Sequence, residues 1–550
     1  MKPVKIRTKL GGWNFLRMLF EVGLASAIWL SGQVGVKTMA ASVANVTGIV
    51  KDDAGKPLRG AMVTATSGDR SISRFADDTG HYKLEGLKPG NYVVSATAWG
   101  FEVKQDTRDL AGDEEITFAL APKWNIARIS SADWLSALPE NSDTQTLKTS
   151  CIRCHNLSWI ARNRGKSAEE WTAKVKMMGA AFVTPGLSDA QAEKMGTILE
   201  KYFGPSSEPP IREQVKHPAI SEAALQATFR EYKAPTKSYI HSIVPDSNGH
   251  VWFAEFDYFS NKLGRFDVAT EEMHEFPMPK PRSQPSNPWV SRDGKVWVTG
   301  GTLHLVDPET GKMTEFVSET GNSCNHTLRD DSAANIWCTG AAGTLLKFDS
   351  KTQKFQEFHV PTPPQLPVNY YKNIANTKKE NAAEEGSSLG SLYDLSVDSH
   401  DNVWYSYNEW GYIGRLDSKT GEFKLFRMPD TSIIKGLEAG PDDSVWFGNF
   451  QGHTLGRLDA KTGKVEQYQP PTHYAALYGF VVDKKGLVWI SDFAGSHMTS
   501  FDPRTKVFTE YPFPSPDSMT RFFGIDSQGK IWYTEFNSGK IGVLDPGQSH

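Results

Sequence analysis

An aliphatic residue followed by tryptophan recurs seven times in the C-terminal part of this chain. Successive tryptophans are 45, 40, 67, 42, 43 and 43 residues apart. A period of roughly 40 to 45 residues is typical of a β-propeller, in which each blade is a sheet of four short strands. The spacing therefore predicts a seven-bladed β-propeller over residues 227–550, with one insertion in the third interval. The seven tryptophans are Trp252, Trp297, Trp337, Trp404, Trp446, Trp489 and Trp532.

A second repeated element predicts how this propeller closes. It has an apolar first residue and, in its last place, phenylalanine or tyrosine. Its first copy precedes the first tryptophan, and no copy follows the last one. The strand near Phe229 should therefore complete the blade that contains Trp532, which removes a free sheet edge. The copies are residues 229–232, 273–276, 313–316, 355–358, 423–426, 465–468 and 508–511.

The propeller repeats resemble the streptogramin B lyase family over about 325 residues. The likeness is carried by residues 252–255 and 532–535, and by Gly-Arg steps that precede Asp267, Asp417 and Asp459. It implies a seven-bladed propeller. It also implies, as the activity of the family, elimination across the ester of a cyclic depsipeptide with a histidine base and Mg²⁺ near a glutamate.

Two positions per blade are expected to line the mouth of the propeller, because they lie close together on the two innermost strands. Among them, His241 and Glu255 are the best candidates for a catalytic pair, with Glu255 as the candidate Mg²⁺ ligand and His326 as a second catalytic histidine. The alternative is a hydrated rim whose acids satisfy backbone groups between blades. Eleven residues before each tryptophan stand His241, Ser286, His326, Tyr393, Lys435, Tyr478 and Arg521, and three after it stand Glu255, Gly300, Gly340, Tyr407, Asn449, Asp492 and Glu535.

Residues 130–204 have helical periodicity and contain Cys151, Cys154 and His155. At this spacing two thiols can add to the vinyl groups of one haem while the histidine ligates its iron. A dithiol redox pair and a zinc half-site are the alternatives. Met177 and Met178 are the candidate distal iron ligands, with Met195 behind them and an open position as a further alternative.

The same segment resembles small class I cytochrome c domains, including those fused to quinohaemoprotein dehydrogenases. The Cys-Cys-His signature is the specific part of this likeness. It implies a small all-α haem domain with haem c as its cofactor and electron transfer as its role.

Residues 45–122 alternate short apolar runs with turn pairs, which predicts a small β-sandwich. They resemble the carboxypeptidase regulatory-like family over about 75 residues, in the runs 46–50, 61–64, 78–83 and 90–94. That family is a non-catalytic β-sandwich. A linker rich in proline and serine, residues 205–226, is expected to join the helical segment to the propeller.

The N-terminus combines Lys2, Lys5 and Arg7 with an apolar run at 22–30 and small residues near Ala41 and Ala44. This order is typical of a secretory signal, here residues 1–44, and the run is too short to span a bilayer. We expect a periplasmic or secreted protein without a later membrane span. In such a compartment Cys324 and Cys338 either form a disulfide or stay free.

Three functions are open at this point. The first is an exported c-type haem protein in which the cytochrome serves the propeller in electron transfer or substrate oxidation, with a soluble electron carrier or a small-molecule substrate as partner. The second is a Mg-dependent lyase acting by elimination at the propeller mouth, and the third is a non-enzymatic binding scaffold. A net charge of −4 argues against nucleic acid as a partner. The insertion at 361–390 is a solvated loop, a lid over the mouth or a dock for the haem domain.

Overall fold

The computed structural model describes residues 43–151, 156–181, 188–257, 259–340, 343–361, 363, 392–407, 411–429 and 433–547. The predictions for the secretory segment, for Cys154 and His155, and for nearly all of the insertion at 361–390 lie outside these residues. Within the described ranges, no helix has both the length and the apolar character needed to cross a membrane.

The N-terminal region forms the predicted sandwich. Its strands are β1 (Ala44–Asp52), β2 (Met62–Ser67), β3 (Arg70–Phe75), β4 (His81–Leu87), β5 (Gly90–Thr97), β6 (Lys104–Leu110), β7 (Glu114–Glu115) and β8 (Phe118–Leu120). One sheet has the order β4-β1-β7 with β8 beside β1, and the other contains β3-β2-β5-β6. Burial alternates along β1, which places Ala44, Val46 and Val50 in the core. The predicted turn at Gly80 needs glycine, because φ is +77° there and a Cβ would collide with the carbonyl oxygen of Val50.

The next segment is helical, as predicted. Its helices are α1 (Ser131–Ala137), α2 (Ser142–Ser150), α3 (Leu157–Arg162), α4 (Ala168–Ala181) and α5 (Asp189–Phe203), and α6 (Glu222–Leu225) follows in the linker. Ser130, Asn141 and Ser188 begin α1, α2 and α5 with capping boxes. A separate all-α domain is not evident, because the buried residues of these helices form one apolar cluster with residues of the propeller loops.

The C-terminal part forms seven four-stranded units. Their strands are β10 (Ile240–Pro245), β11 (His250–Glu255), β12 (Lys262–Asp267), β13 (Glu272–Pro277); β14 (Pro288–Val290), β15 (Val296–Thr299), β16 (Leu303–Val306), β17 (Met313–Phe316); β18 (Cys324–Asp330), β19 (Ile336–Gly340), β20 (Thr344–Asp349), β21 (Lys354–His359); β22 (Leu392–Val397), β23 (Val403–Tyr407), β24 (Tyr412–Leu416), β25 (Phe423–Arg427); β26 (Ile434–Ala439), β27 (Ser444–Asn449), β28 (Thr454–Asp459), β29 (Val465–Tyr468); β30 (Leu477–Val482), β31 (Val488–Asp492), β32 (His497–Asp502), β33 (Val507–Pro512); and β34 (Gly524–Ile525), β35 (Ile531–Glu535), β36 (Lys540–Asp545) with β9 (Thr228–Lys233). We number these blades 1 to 7 in that order.

The seventh blade closes as the sequence predicts. Strand β9 pairs antiparallel with β36, and Phe229 stands opposite Leu544. The outer edge of β9 then pairs with β3 of the sandwich, where Phe229 stands opposite Ser73. Blade 7 and half of the sandwich are therefore one eight-stranded sheet. This continuation, which the sequence analysis did not anticipate, covers a strand edge that would otherwise be open.

The repeated tryptophan has a structural role. In blades 1, 4, 6 and 7 its indole Nε1 donates a hydrogen bond of 2.9 to 3.0 Å to an aspartate six residues earlier. That aspartate also accepts backbone N–H groups of the turn between the two inner strands; Asp246, for example, accepts from Asn248 and His250. The repeat therefore fixes the inner hairpin of the blade.

Cys324 and Cys338 form a disulfide, with their Cα atoms 5.4 Å apart. Along the hairpin, Cys324 stands opposite Gly340 and Leu328 opposite Cys338, with an irregularity of β18 between Cys324 and Leu328. The open question of this pairing is thereby resolved in favour of the bridge.

Candidate functional site

Side chains from all seven blades meet at the mouth of the propeller. They occupy the predicted positions eleven residues before each tryptophan, at or just before the start of the innermost strand. His241 of blade 1 and His326 of blade 3 have ring centroids 5.1 Å apart, although their blades are not neighbours. The hydroxyls of Tyr393 and Tyr478, from blades 4 and 6, also contact each other. The mouth set, as we call these residues, is His241, Ser286, His326, Tyr393, Lys435, Tyr478 and Arg521.

The mouth set alternates chemically around the propeller. Blades 1, 3, 5 and 7 contribute imidazoles, an ammonium and a guanidinium, whereas blades 2, 4 and 6 contribute hydroxyls. None of the seven residues is acidic. Lys435 and Arg521 therefore give the mouth set a positive charge at neutral pH.

The two histidines are held in their neutral form. His241 Nδ1 lies 3.0 Å from the carbonyl oxygen of Ser286 and therefore carries the hydrogen, which leaves Nε2 as the acceptor. Burial and the charge of Arg521 lower the pKa of His241 well below its usual value. Burial, Arg521 and Lys435 lower the pKa of His326 to about 3. Burial and the neighbouring cations thus keep both imidazoles unprotonated, and Nε2 of His241 can accept a hydrogen bond.

The cations of the mouth set lie against aromatic rings. The guanidinium carbon of Arg521 is 3.9 Å from the ring centroid of Phe536 and 5.7 Å from that of Tyr478. Its Nε is buried and has no hydrogen-bond partner. Lys435 Nζ lies 4.2 Å from the ring centroid of Tyr393. Such contacts stabilise a cation modestly.

Glu255 does not join His241. Its cross-strand partner is Ile240, one residue before His241, and neighbouring residues of a strand point to opposite faces of the sheet. The carboxyl group of Glu255 lies with Glu275 and Lys262 inside blade 1. Burial and Glu275 raise its pKa to about 8. Among the described residues there is no group of three or more acidic, histidine or cysteine side chains arranged to hold a metal ion.

Clusters of one basic side chain between two acids, like that of blade 1, recur in two other blades. In blade 7, Lys540 Nζ lies 2.9 Å from Glu231 and 3.4 Å from Glu535. In blade 6, His497 Nε2 lies 3.3 Å from Asp492 and 3.8 Å from Glu510. The acids three residues after the tryptophan therefore lie inside the blades and not at the mouth. This agrees with the alternative interpretation, in which these acids have a structural role. We call these three groups the blade clusters.

The sequence reasoning missed the partners in these clusters, although a signal was present. Where an acid stands three residues after the tryptophan, a basic residue begins the third strand, as Lys262, His497 and Lys540 do. The blades without that acid have no cation there. Comparing the repeats with one another would have identified the clusters.

Of the predicted haem ligands, Cys151, Met177 and Met178 are described. Cys151 Sγ lies 3.7 Å from Met195 Sδ in an apolar environment, and burial raises the pKa of its thiol to about 12. Met177 is 58% exposed, and Met178 is half-buried. Of the three methionines considered from sequence, Met195 was ranked behind Met177 and Met178. In the structure it is Met195 that contacts Cys151.

The helical segment is docked on the face of the propeller where the mouth set lies. Asp517, in the loop before β34, accepts hydrogen bonds from Asn156 at 2.9 Å and Ser158 at 2.6 Å, and pairs with Arg162 at 2.7 Å. The backbone of α1 adds a bond from Ala132 N to the carbonyl oxygen of Ala494. No pattern in the sequence pointed to Asp517.

Apolar packing connects Cys151 to the mouth set. Cys151 packs against the buried cluster that contains Trp171 of the helical segment and Phe522 and Phe536 of the propeller. The Phe522 ring centroid is 5.8 Å from that of His241, and Phe536 carries the guanidinium of Arg521. The predicted haem segment and the mouth are therefore two sides of one packed region.

Comparisons with known proteins agree with two parts of this architecture. The Virginiamycin B lyase family matches residues 380–549, and the carboxypeptidase regulatory-like domain matches residues 45–121. This chain has a virginiamycin B lyase-like propeller and a carboxypeptidase regulatory-like domain. No curated protein matches the chain significantly.

Two solved structures illustrate the likeness of the propeller. Virginiamycin B lyase from Staphylococcus aureus is 18% identical, with a TM-score of 0.48 over 58% of this chain and 99% of its own. A streptogramin B lyase is 20% identical, with a TM-score of 0.49 over 59% of this chain and 99% of its own.

Proposed function

We propose that this chain is an exported c-type haem protein that oxidises a small molecule at the mouth of its propeller. Residues 151–155 hold the haem, the substrate loses electrons at the mouth set, and a soluble carrier takes them from the haem. The observation that carries this proposal is the docking of the helical segment, with Cys151, on the face that bears the mouth set. A redox group held there stands next to converging basic side chains.

The residues of the helical segment suit a haem. Cys151, Cys154 and His155 offer two thiols and an imidazole at the spacing of covalent attachment. Trp171 and Leu199 belong to the apolar cluster around Cys151, and apolar surroundings suit the faces of a porphyrin. When bound, a c-type haem supplies reversible one-electron transfer.

The distal ligand of the iron is a separate part of the proposal. Met177 and Met178 were predicted from their position at the end of α4. The exposure of Met177 counts against it. The burial of Met195 next to Cys151 favours Met195 instead, because a thioether beside the attachment site needs the least rearrangement.

Export is supported by the disulfide between Cys324 and Cys338, since disulfides persist in oxidising compartments. Covalent haem attachment suits the same location. We therefore place the protein in the periplasm or outside the cell.

Haem attachment is tested by expressing the full chain in the periplasm together with haem-maturation machinery. We expect the purified protein to be heavier than its mature polypeptide by the mass of one haem, and to keep haem-dependent peroxidase staining on a denaturing gel. Cys151→Ala should lose most of this covalent haem. The matched control replaces the other two cysteines, Cys324→Ala with Cys338→Ala, and should keep it. A wild-type protein without haem would end the proposal.

A second candidate function is elimination of the lyase type, with His241 as general base. The observation in its favour is the fixed tautomer of His241, whose Nε2 is unprotonated. This group would take the proton from a carbon while the alkyl carbon–oxygen bond of the ester on the adjacent carbon breaks, which forms a carbon–carbon double bond and releases the acid part of the ester as a carboxylate.

The Mg²⁺ expected from the lyase likeness does not fit Glu255. A carboxyl group with a pKa of about 8 is protonated at neutral pH, and Lys262 already provides a positive charge beside it. We therefore assign no step to a metal ion here.

The second candidate is tested by incubating the protein with virginiamycin B and following ring opening by mass spectrometry. A lyase would give the linear product, His241→Ala would abolish it, and the matched control His453→Ala would keep it. A protein that neither opens the ring nor binds haem would leave the binding scaffold as the remaining candidate of the three.

A further inference from the structure

The helical segment is fixed to the propeller on both sides of the haem attachment motif, residues 151–155. Before the motif, Lys148 Nζ donates a hydrogen bond of 2.9 Å to the hydroxyl of Tyr474, in the loop that precedes β30. After the motif, Asn156 Nδ2 donates one of 2.9 Å to Oδ1 of Asp517, in the loop that precedes β34. Asn156 is the residue that directly follows the motif. Contacts with the propeller therefore flank the motif in sequence.

Asp517 receives three donors from the stretch that follows the motif. Besides Asn156, Oδ1 accepts from Ser158 Oγ at 2.6 Å, and Oδ2 pairs with the guanidinium of Arg162 at 2.7 Å. Asp517, Asn156 and Ser158 are all buried. A buried charge loses its hydration, so apolar packing would join the two surfaces at least as well. The carboxylate therefore calls for a role besides adhesion.

The propeller itself holds this carboxylate in place. Asn537 Nδ2 of blade 7 lies 3.2 Å from Oδ2 of Asp517. Ser515 Oγ, two residues before Asp517, donates to a carboxylate of the blade 7 cluster at 3.0 Å. Ser518 N, one residue after it, donates to Ser496 Oγ of blade 6 at 3.1 Å. Two blades thus fix the loop, which is what a group that positions other side chains requires.

We propose that Asp517 is a positioning residue for the haem: it fixes the stretch that begins directly after His155, the proposed iron ligand, and its buried negative charge favours the oxidised iron. The charge acts strongly because buried groups are screened little. Oxidised haem carries one more positive charge than reduced haem, so the carboxylate lowers the reduction potential. The inference rests on the proposed function and adds the propeller residue that adjusts its redox centre.

The test is a redox titration of the haem-loaded full-length protein, followed by visible absorbance, in the wild type and in Asp517→Asn. The variant keeps the size of the side chain and one acceptor oxygen, and it removes the charge. We expect the equilibrium constant for one-electron reduction of the haem to rise about threefold or more.

Arg162→Gln provides a change of the opposite sign, because it removes the positive charge of the same ion pair. The equilibrium constant for reduction should fall, and by a smaller factor, since the side chain of Arg162 is 43% exposed and its charge is screened by solvent. A merely structural role of the pair would shift both variants in the same direction, because both loosen the same contact. If Asp517→Asn does not fold, the sign of the shift in Arg162→Gln still tests the inference.

The matched control is Asp502→Asn, which removes a carboxylate that also pairs with an arginine. Asp502 ends β32, whereas the helical segment contacts the loop before that strand. The control should leave the potential unchanged.

Shifts of opposite sign in Asp517→Asn and Arg162→Gln would support the inference. Equal potentials in the wild type and Asp517→Asn, or shifts of the same sign in the two variants, would overturn it and leave haem attachment standing. A wild-type protein without haem would overturn the inference together with the proposed function.

Discussion

The propeller contains two groups of buried ionisable residues, and they differ in how their charges are satisfied. In the blade clusters each basic side chain lies between two carboxyl groups of its own blade, as Lys540 does between Glu231 and Glu535. In the mouth set the ionisable groups are basic and come from different blades. A charge that is balanced within one repeat serves the fold, whereas charges of one sign that converge from several repeats suit a ligand.

The largest expected difference concerns the cations. Lys540→Met removes the charge between Glu231 and Glu535, and we expect it to lower the free energy of unfolding by about 3 to 5 kcal/mol. Arg521→Met removes a mouth cation without such partners, and we expect a change of less than about 1 kcal/mol. Denaturant unfolding measures both, and similar losses would contradict the distinction.

The two groups should also respond to pH in opposite directions. The pKa of His326 is lowered by folding, so the unfolded chain binds more protons in acid, and stability falls as the pH drops from about 6 toward 3, by about 1.4 kcal/mol per pH unit. The pKa of Glu255 is raised to about 8 by folding, so the folded chain holds the extra proton. Its contribution to stability is full below about pH 4.5 and is lost as the pH rises through 8.

These limbs are separated by one variant each. His326→Gln should reduce the slope of the acid limb of the unfolding free energy, to which His241 also contributes, and Glu255→Gln should reduce the slope of the alkaline limb, to which Glu231 also contributes. The matched control Glu272→Gln changes an exposed carboxylate of the same blade and should leave both limbs unchanged. A reversed assignment of the limbs would refute this electrostatic account.

A smaller effect is expected where the helical segment meets the propeller. Asp517→Ala removes the acceptor for Asn156, Ser158 and Arg162, and should cost about 1 to 3 kcal/mol locally. Protease cleavage between residues 131 and 203 should become faster, while the melting of the propeller changes little. The control Asp502→Ala removes the ion pair with Arg504 and the acceptor of its backbone N–H in the turn after β32, and should leave the cleavage rate between residues 131 and 203 unchanged.

The repeats explain why the blades were predictable and the site was less so. The tryptophan period predicted the blades, and the offset of the second repeated element predicted the closure by Phe229, because both patterns are written within single repeats. The predicted pair of His241 and Glu255 does not form, because side chains alternate between the two faces of a strand and Glu255 stands opposite Ile240. The spacing of residues alone does not determine this strand register. The contact of His241 with His326 joins non-neighbouring blades, and Asp517 acts across more than 350 residues of sequence, so neither has a local signal.

The most direct test of the central claim is a redox titration of the full-length protein followed by visible absorbance. If haem is held beside the mouth set, Arg521→Gln removes a nearby positive charge and should lower the reduction potential by about 30 mV or more. The blade variant Arg415→Gln should leave the potential unchanged. Absence of a reducible haem, or equal potentials in the wild type and Arg521→Gln, would contradict the account.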